Sequence, residues 1–271
     1  MPQKPALLKP SKAQVALWLA ARPRFWPDFW RRTKQNIAGR MLPAPMGQGR
    51  EAATAWAQDI AISEADALSR LGLPIAADMA TAHQNLVARA MEIERTSAET
   101  LGGGGGINLI FRICEALRAT TVVETGVAYG WSSLAILASI GPRSGHLYSV
   151  DMPNPMLRDT GLTGAVVPKE MWDSWTLVRE PDYTGLRKIL RSLSQIDFIH
   201  YDSDKSYLGR AASYRALWPR VRSGGVLMSD DITDNTAFRD FAVEVEVPPV
   251  VIHSEGSGSA GSRYVGLLKK P

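Results

Sequence analysis

Two short acidic runs hold the residue types with most chemical reach: Asp202-Ser203-Asp204-Lys205 and Ser229-Asp230-Asp231. Each follows an apolar, strand-like run, residues 196–201 and 226–228. In a parallel sheet such strands deliver their C-terminal ends to one edge, where these folds bind ligands. Three carboxylates gathered there, Asp202, Asp230 and Asp231, repel one another unless a cation neutralises them. A hard divalent ion such as Mg2+ does this with a few carboxylates, water and substrate oxygens. Asp204 has an ordinary alternative, since it precedes a helical stretch and suits an N-cap. Lys205 stands three residues after Asp202. It can take a proton from a hydroxyl if a dry pocket and a cation depress its pKa toward neutrality.

A second group lies upstream. Val122-Val123-Glu124-Thr125-Gly126-Val127-Ala128-Tyr129-Gly130-Trp131-Ser132-Ser133 reads as a buried strand, a glycine turn and a helix start. Gly126 and Gly130 let the backbone turn sharply and approach a ligand. The hydroxyls of Ser132 and Ser133 can cap free N–H groups. A dinucleotide site wants G-x-G-x-x-G with a pyrophosphate on the helix N-terminus. Here the middle glycine is absent and an acid closes the strand. A ligand with an ammonium group suits Glu124 better. Asp151 follows the next strand, 21 residues after Gly130, close to the ~20 expected of an acid that binds ribose hydroxyls.

The strand–acid–glycine stretch resembles the first motif of class I S-adenosylmethionine (SAM) methyltransferases. The paired acidic runs resemble those of metal-dependent O-methyltransferases, over about residues 100–245. One such group is the catechol and caffeoyl-CoA type, and another is the macrocin type that acts on sugar hydroxyls. The resemblance implies metal ligation by Asp202, Asp230 and Asp231. It places Lys205 on the catalytic lysine of the catechol type, beside Asp202 at the reacting centre. Asp231 departs from that type, which usually has Asn there, and matches the sugar-directed group. The implied cofactor contacts are Glu124, Gly126, Tyr129, Gly130 and Ser132 for the amino acid part and Asp151 for the ribose. Asp182 and Tyr183 would flank the adenine.

The elements that must position these residues alternate from residue 120 onward. Strands are expected at 121–125, 146–150, 175–179, 196–201 and 225–229, with helices near 131–140, 185–193, 206–217 and 235–242. Two last strands, 247–253 and 263–269, flank a polar stretch at 254–262 that reads as a mobile loop. The expected fold is α/β: a Rossmann-like, doubly wound, mainly parallel sheet with an antiparallel last strand and an N-terminal helical extension. Residues 101–271 form the expected methyltransferase domain, and residues 1–100 a basic, aromatic arm with helices. In that arm the sequence predicts helices at 12–21, at 51–71 with a break near Ser63, and at 78–100. Helix 107–118 leads into the first strand. Gly102 to Gly106 are consecutive glycines, either a linker or a loop that closes over the cofactor. Residues 152–174 read as a lid or substrate-contact insertion, or as a surface loop with a short helix at 168–174.

Composition sets outer bounds. A chain of 271 residues buries a sizeable core, and no apolar run approaches the ~20 residues that span a bilayer. Cys114 is the lone cysteine, which excludes an internal disulfide and fits a cytoplasmic protein. The net charge of +4 hides an asymmetry: residues 1–50 carry ten Lys/Arg and a single acid, Asp28. Trp18, Phe25, Trp26, Phe29 and Trp30 are interleaved with those charges. Such a segment could pack on the main domain or on a second copy in a homo-oligomer. It could also lie on a membrane surface at the inner face of the cell. Nucleic acid is the least favoured, since no nucleic-acid module accompanies the charge.

The function expected is SAM- and Mg2+-dependent O-methylation of a small molecule or glycan. Two alternatives stand beside it: an NAD(P)-dependent oxidoreductase, and a non-catalytic SAM-binding protein whose arm recruits a partner.

Overall fold

The computed structural model describes residues 11–41, 49–97, 99, 101, 103–154, 160–254 and 263–271. Residues 255–262 of the expected mobile loop, Gly102 of the glycine run and part of the 152–174 insertion lie outside them.

The N-terminal third is helical. It contains α1 (Lys12–Ala20), α2 (Trp26–Met41), α3 (Arg50–Ile60), a two-residue strand β1 (Ala61–Ile62), α4 (Glu64–Arg70), α5 (Met79–Ala82) and α6 (Gln84–Thr96). Then come α7 (Ile107–Ala116), β2 (Thr121–Thr125), α8 (Trp131–Ile140), β3 (His146–Val150), β4 (Trp175–Val178), α9 (Asp182–Ile189), β5 (Ile196–Tyr201), α10 (Tyr207–Leu217), β6 (Val221–Ser229), α11 (Ala237–Glu244), β7 (Val250–Ser254) and β8 (Arg263–Lys269).

These strands form a single sheet in the order β1-β7-β8-β6-β5-β2-β3-β4. β8 runs antiparallel to both neighbours, and the other pairings are parallel. The fold is therefore the Rossmann-like sheet that the sequence predicts, with its last strand reversed. Successive strand residues point to opposite faces, so each central strand feeds two cores. Val122, Phe198 and Met228 pack beneath α7 and α8 with Ile110 and Leu134. Val123, Ile199 and Leu227 pack beneath α9, α10 and α11 with Leu186, Tyr214 and Phe241. Burial on both faces explains why these strands read as continuous apolar runs.

Three local outcomes differ from the sequence expectation. α2 begins at Trp26 and carries Pro27 in its first turn, where a missing N–H costs nothing. A proline breaks a helix from its interior, but at this position it opens one. The 51–71 helix does break at Ser63, whose hydroxyl caps Asp66 N–H at 3.2 Å. Ahead of the break, Ala61 and Ile62 pair with Val251 and Ile252 and add an edge strand. Two residues are too few to show the alternation by which strands are read from sequence. Likewise α5 and α6 divide at His83, which stacks edge-on against Phe111 at 5.4 Å between centroids.

Candidate active site

The C-terminal ends of β2, β3, β5 and β6 open into a cavity of about 600 Å³. At one end is the turn after β2. Gly126 sits at φ +82° and Gly130 at φ +90°, both in the left-handed region. A Cβ on Gly126 would collide with the Asp202 carbonyl, and one on Gly130 would lie 2.9 Å from the Gly164 Cα. Asp202 N–H in turn donates to the Thr125 carbonyl at 2.9 Å. The glycine turn and the first acidic run are thus pressed together because Gly126 has no side chain.

Gly126, Tyr129, Ser132 and Asp151 line this end of the cavity. The Asp151 carboxylate accepts Val127 N–H at 3.0 Å and pairs with Arg179. Burial raises its pKa against that pairing. Tyr129 turns its hydroxyl to Ser97 Oγ, 2.9 Å, and to the Glu99 carbonyl. Gly130 caps α8 but its atoms are not among the lining. Glu124 lies beneath the cavity, not in it. Its carboxylate has no exposed surface and accepts from Ser133 Oγ at 2.6 Å and Ser149 Oγ at 2.7 Å. The reason is strand alternation: Glu124 points to the face of the sheet that α8 covers, where Ser133 meets it, and only the following turn faces the ligand.

Asp182 and Tyr183 part company. Asp182 lines the cavity and accepts Ser203 Oγ at 2.5 Å, and burial pushes its pKa up to about 6. Tyr183 is one residue on, ~100° around α9. Its ring lies between Arg31 and Arg187, each 5.4 Å from the centroid, outside the cavity. It is not placed to stack on a ligand there.

The other end holds the second constellation. Asp202, Asp230, Asp231 and Lys205 all line it, so the structure brings together the four residues singled out from the two acidic runs. Lys205 Nζ lies between Asp202 and Asp231, donating to Asp202 Oδ1 and, at 2.7 Å, to Asp231 Oδ2. Burial would depress the Lys205 pKa, but the two carboxylates outweigh it and the net direction is upward. Lys205 is therefore held charged in this arrangement, opposite to the depression that a lysine base requires. Asp202 is raised by burial despite Lys205. Asp231 and Asp230 are held low by their cationic neighbours, which outweigh burial.

Three cationic residues at the site carry no sequence signal strong enough to single them out. His200 lies between Glu124 and Asp230, 3.7 Å from each, and its pKa rises to about 10 because both carboxylates outweigh burial. Its place two residues before Asp202, on a strand, was the one available hint. Arg263, at the start of β8, reaches Asp231 Oδ1 at 3.3 Å and Asp230 Oδ2 at 3.4 Å. Arg32 of α2 lines the cavity wall and lies 3.5 Å from Asp204 Oδ2. Asp204 is not the N-cap of α10; Ser206 is, with its hydroxyl accepting Gly209 N–H at 3.1 Å.

The glycine run also reaches the site. Gly103 and Gly105 line the cavity. A Cβ on Gly104 would meet the Trp131 ring at 3.0 Å, and one on Gly105 would meet Arg263 Nη1 at 3.0 Å. From the 152–174 insertion, Met152, Asn154 and Thr163 contribute to the wall.

As arranged, the carboxylates do not fit a metal ion. Among the described residues no three His, Cys, Asp or Glu side chains are grouped to hold one. Lys205 stands between Asp202 and Asp231, while Asp230 turns to His200 and Arg263.

Residues 123–232 match the family model described as a methyltransferase domain. This segment is a methyltransferase domain. It spans β2 to the turn after β6 and so contains the glycine turn, Asp151 and both acidic runs. No curated protein sequence matches the chain. Among solved structures, the chain is similar to an O-methyltransferase from Bacillus cereus in complex with SAH, at 14% identity and TM-score 0.56, covering 82% of this chain and 100% of that one. It is also similar to the O-methyltransferase TomG from Streptomyces achromogenes, involved in tomaymycin synthesis and in complex with SAM. There the identity is 13% and the TM-score 0.54, covering 76% of this chain and 96% of that one. At these identities the likeness carries the fold. The methyltransferase domain makes the chain a methyl-transferring enzyme.

Proposed function

We propose that the protein is a SAM-dependent O-methyltransferase acting on a hydroxyl of a small molecule or glycan. One observation carries this reading: a single cavity joins the glycine turn and Asp151 at one end to Asp202, Lys205, Asp231 and Arg263 at the other. The two similar structures, with SAH and SAM, support the donor. Gly126, Tyr129 and Ser132 would cradle the amino acid part, with Gly130 shaping the turn behind them, Asp151 at the ribose and Asp182 toward the base. Residues 101–271 would be the catalytic unit and residues 1–100 its extension.

In this reading the acceptor hydroxyl docks against Asp202 and Lys205. Asp202, whose pKa burial raises, takes the hydroxyl proton. Lys205 and Arg263, both charged, steady the forming oxyanion. A bound sulfonium donor would supply the methyl group and leave as SAH, with the glycine turn and Asp151 holding the donor while Asp202 and Lys205 hold the acceptor oxygen.

Magnesium dependence is a second reading, favoured by the three carboxylates and by Asp230 Oδ1, which is buried with no hydrogen-bond partner. It requires Lys205 to leave the gap between Asp202 and Asp231. Titration calorimetry with SAH, with and without Mg2+, followed by an acceptor screen of catechols and sugars, tests both. Absence of SAH binding ends the main reading. Turnover unchanged by a chelator ends the magnesium reading.

Cytoplasmic residence is proposed on the lone buried thiol, Cys114. A homo-oligomer or peripheral membrane contact would use the exposed Leu17, Trp26, Trp30 and Ile37 of α1 and α2. No helix of the described residues is long and apolar enough to cross a membrane. Light scattering and liposome sedimentation, with and without residues 1–50, decide between these uses.

A further inference from the structure

Polar side chains form a rung across six consecutive strands, from beneath the cavity floor at Glu124 to the lining residues His200, Asp230 and Arg263. Trp175 Nε1 on β4 donates to Ser149 Oγ on β3 at 2.8 Å. Ser149 Oγ donates to Glu124 on β2 at 2.7 Å. Glu124 Oε1 is 3.7 Å from His200 Nδ1 on β5, and Glu124 and His200 are register partners. His200 Nε2 is 3.7 Å from Asp230 Oδ2 at the end of β6. Asp230 Oδ2 is 3.4 Å from Arg263 Nη2 on β8. The strand order β8-β6-β5-β2-β3-β4 makes each step one between neighbours.

Ionisable groups in such a layer are costly, and an apolar substitute is often neutral or better for stability. Glu124, His200 and Asp230 are nevertheless all buried. The two 3.7 Å contacts are too long for direct hydrogen bonds. Glu124 Oε1, both His200 ring nitrogens and Asp230 Oδ1 are buried atoms without such a bond. A carboxylate faces each ring nitrogen across these gaps. The rung is thus closed at its centre without a direct hydrogen bond, with slack that either end can take up.

Each end bears on a different part of the cavity. Glu124 holds Ser133, next to the cavity-lining Ser132, in the first turn of α8. Asp230 adjoins Asp231, which holds Lys205. We propose that His200 is a positioning residue that couples the donor end of the cavity to its acceptor end. This rests on the reading of the cavity as a SAM site, and the coupling is a property of this chain's own sheet.

A double-mutant cycle on SAH affinity, read by calorimetry, tests it. Arg263→Gln should change the SAH dissociation constant by about fivefold or more when His200 is intact. In a His200→Gln background the same change should have an effect within about twofold. Equal effects in both backgrounds overturn the proposal, since a ring that only fills space transmits nothing. Glu124→Gln replaces His200→Gln in the same cycle if that variant fails to fold, as judged by circular dichroism. Hydrogen exchange in the Arg263→Gln chain gives an independent reading. Faster exchange at the Ser133 and Leu134 amides supports the coupling, and unchanged exchange there overturns it. An unaltered chain that binds no SAH sinks the methyltransferase reading instead, so the two failures are distinguishable.

Discussion

Lys205 is held by two carboxylates, and that fixes its charge more firmly than its sequence position does. In the proposed mechanism it stabilises charge and Asp202 moves the proton. Lys205→Met should lower kcat by about a hundredfold or more, with SAH affinity nearly unchanged. Turnover close to that of the unaltered chain, in a steady-state assay on the identified acceptor, removes Lys205 from the chemistry. Asp182 offers a pH test. Its pKa is about 6 in the folded protein against an ordinary 3.8. The folded state therefore binds the proton more tightly, and the contribution of Asp182 to stability falls as pH rises from about 4 to about 6. Asp182→Asn should flatten that fall. Melting temperatures across this range check it, and parallel curves for the two proteins refute it. These residues were named from sequence because acids after strand ends are a local pattern. His200 and Arg263 were not, since a histidine inside a strand and an arginine after a polar loop have many ordinary uses.

At the scale of elements, α2 has a role that its composition did not disclose. Asp28 is fully buried and accepts the Thr184 hydroxyl of α9. Arg31 lies over Tyr183 of the same helix. Arg31 and Arg32 reach Asp204 at 3.8 and 3.5 Å. The single acid of residues 1–50 is therefore an anchor, and the arginines of α2 meet the site loop between Asp202 and Lys205. Phe25 and Leu19 are buried as well, whereas Trp26 and Trp30 remain about half exposed. Packing on the main domain accounts for only part of the aromatic content. Thr184→Val should destabilise the protein by about 1–3 kcal/mol, because the Asp28 carboxylate stays buried without its hydroxyl partner. Chemical denaturation measures this, and an unchanged midpoint excludes the anchor. Arg32→Ala should raise the acceptor KM while leaving SAH affinity within about threefold, since Arg32 lies on the cavity wall beside Asp204 and not at the glycine turn. A matched loss of SAH affinity would place Arg32 at the donor end.

At the scale of the molecule, one sheet carries two cores and the cavity at its edge. Phe198 and Ile199 are successive residues on β5, both fully buried, and they enter opposite cores. Phe198→Ala should cost about 3–5 kcal/mol. The loss should appear in a single unfolding transition, since the strands between the cores are shared. Two separate transitions in calorimetry would show that the faces unfold independently. The same sheet unites distant sequence: β1, from the helical third, pairs with β7 near the C-terminus.

The sequence by itself determined the order and bounds of most central strands and helices. Alternation, apolar runs and glycine turns are local properties, written within a few residues of where they act. It also determined which acids would meet, because a parallel sheet sends every such strand end to the same edge. What surrounds those acids was decided only by the tertiary structure. Glu124 turned inward, Tyr183 outward, and His200, Arg263 and Arg32 arrived from β5, β8 and α2 to join Lys205 in supplying the positive charge. Charge balance in a buried site depends on distances of a few ångströms between groups remote in sequence, and no local pattern records those distances.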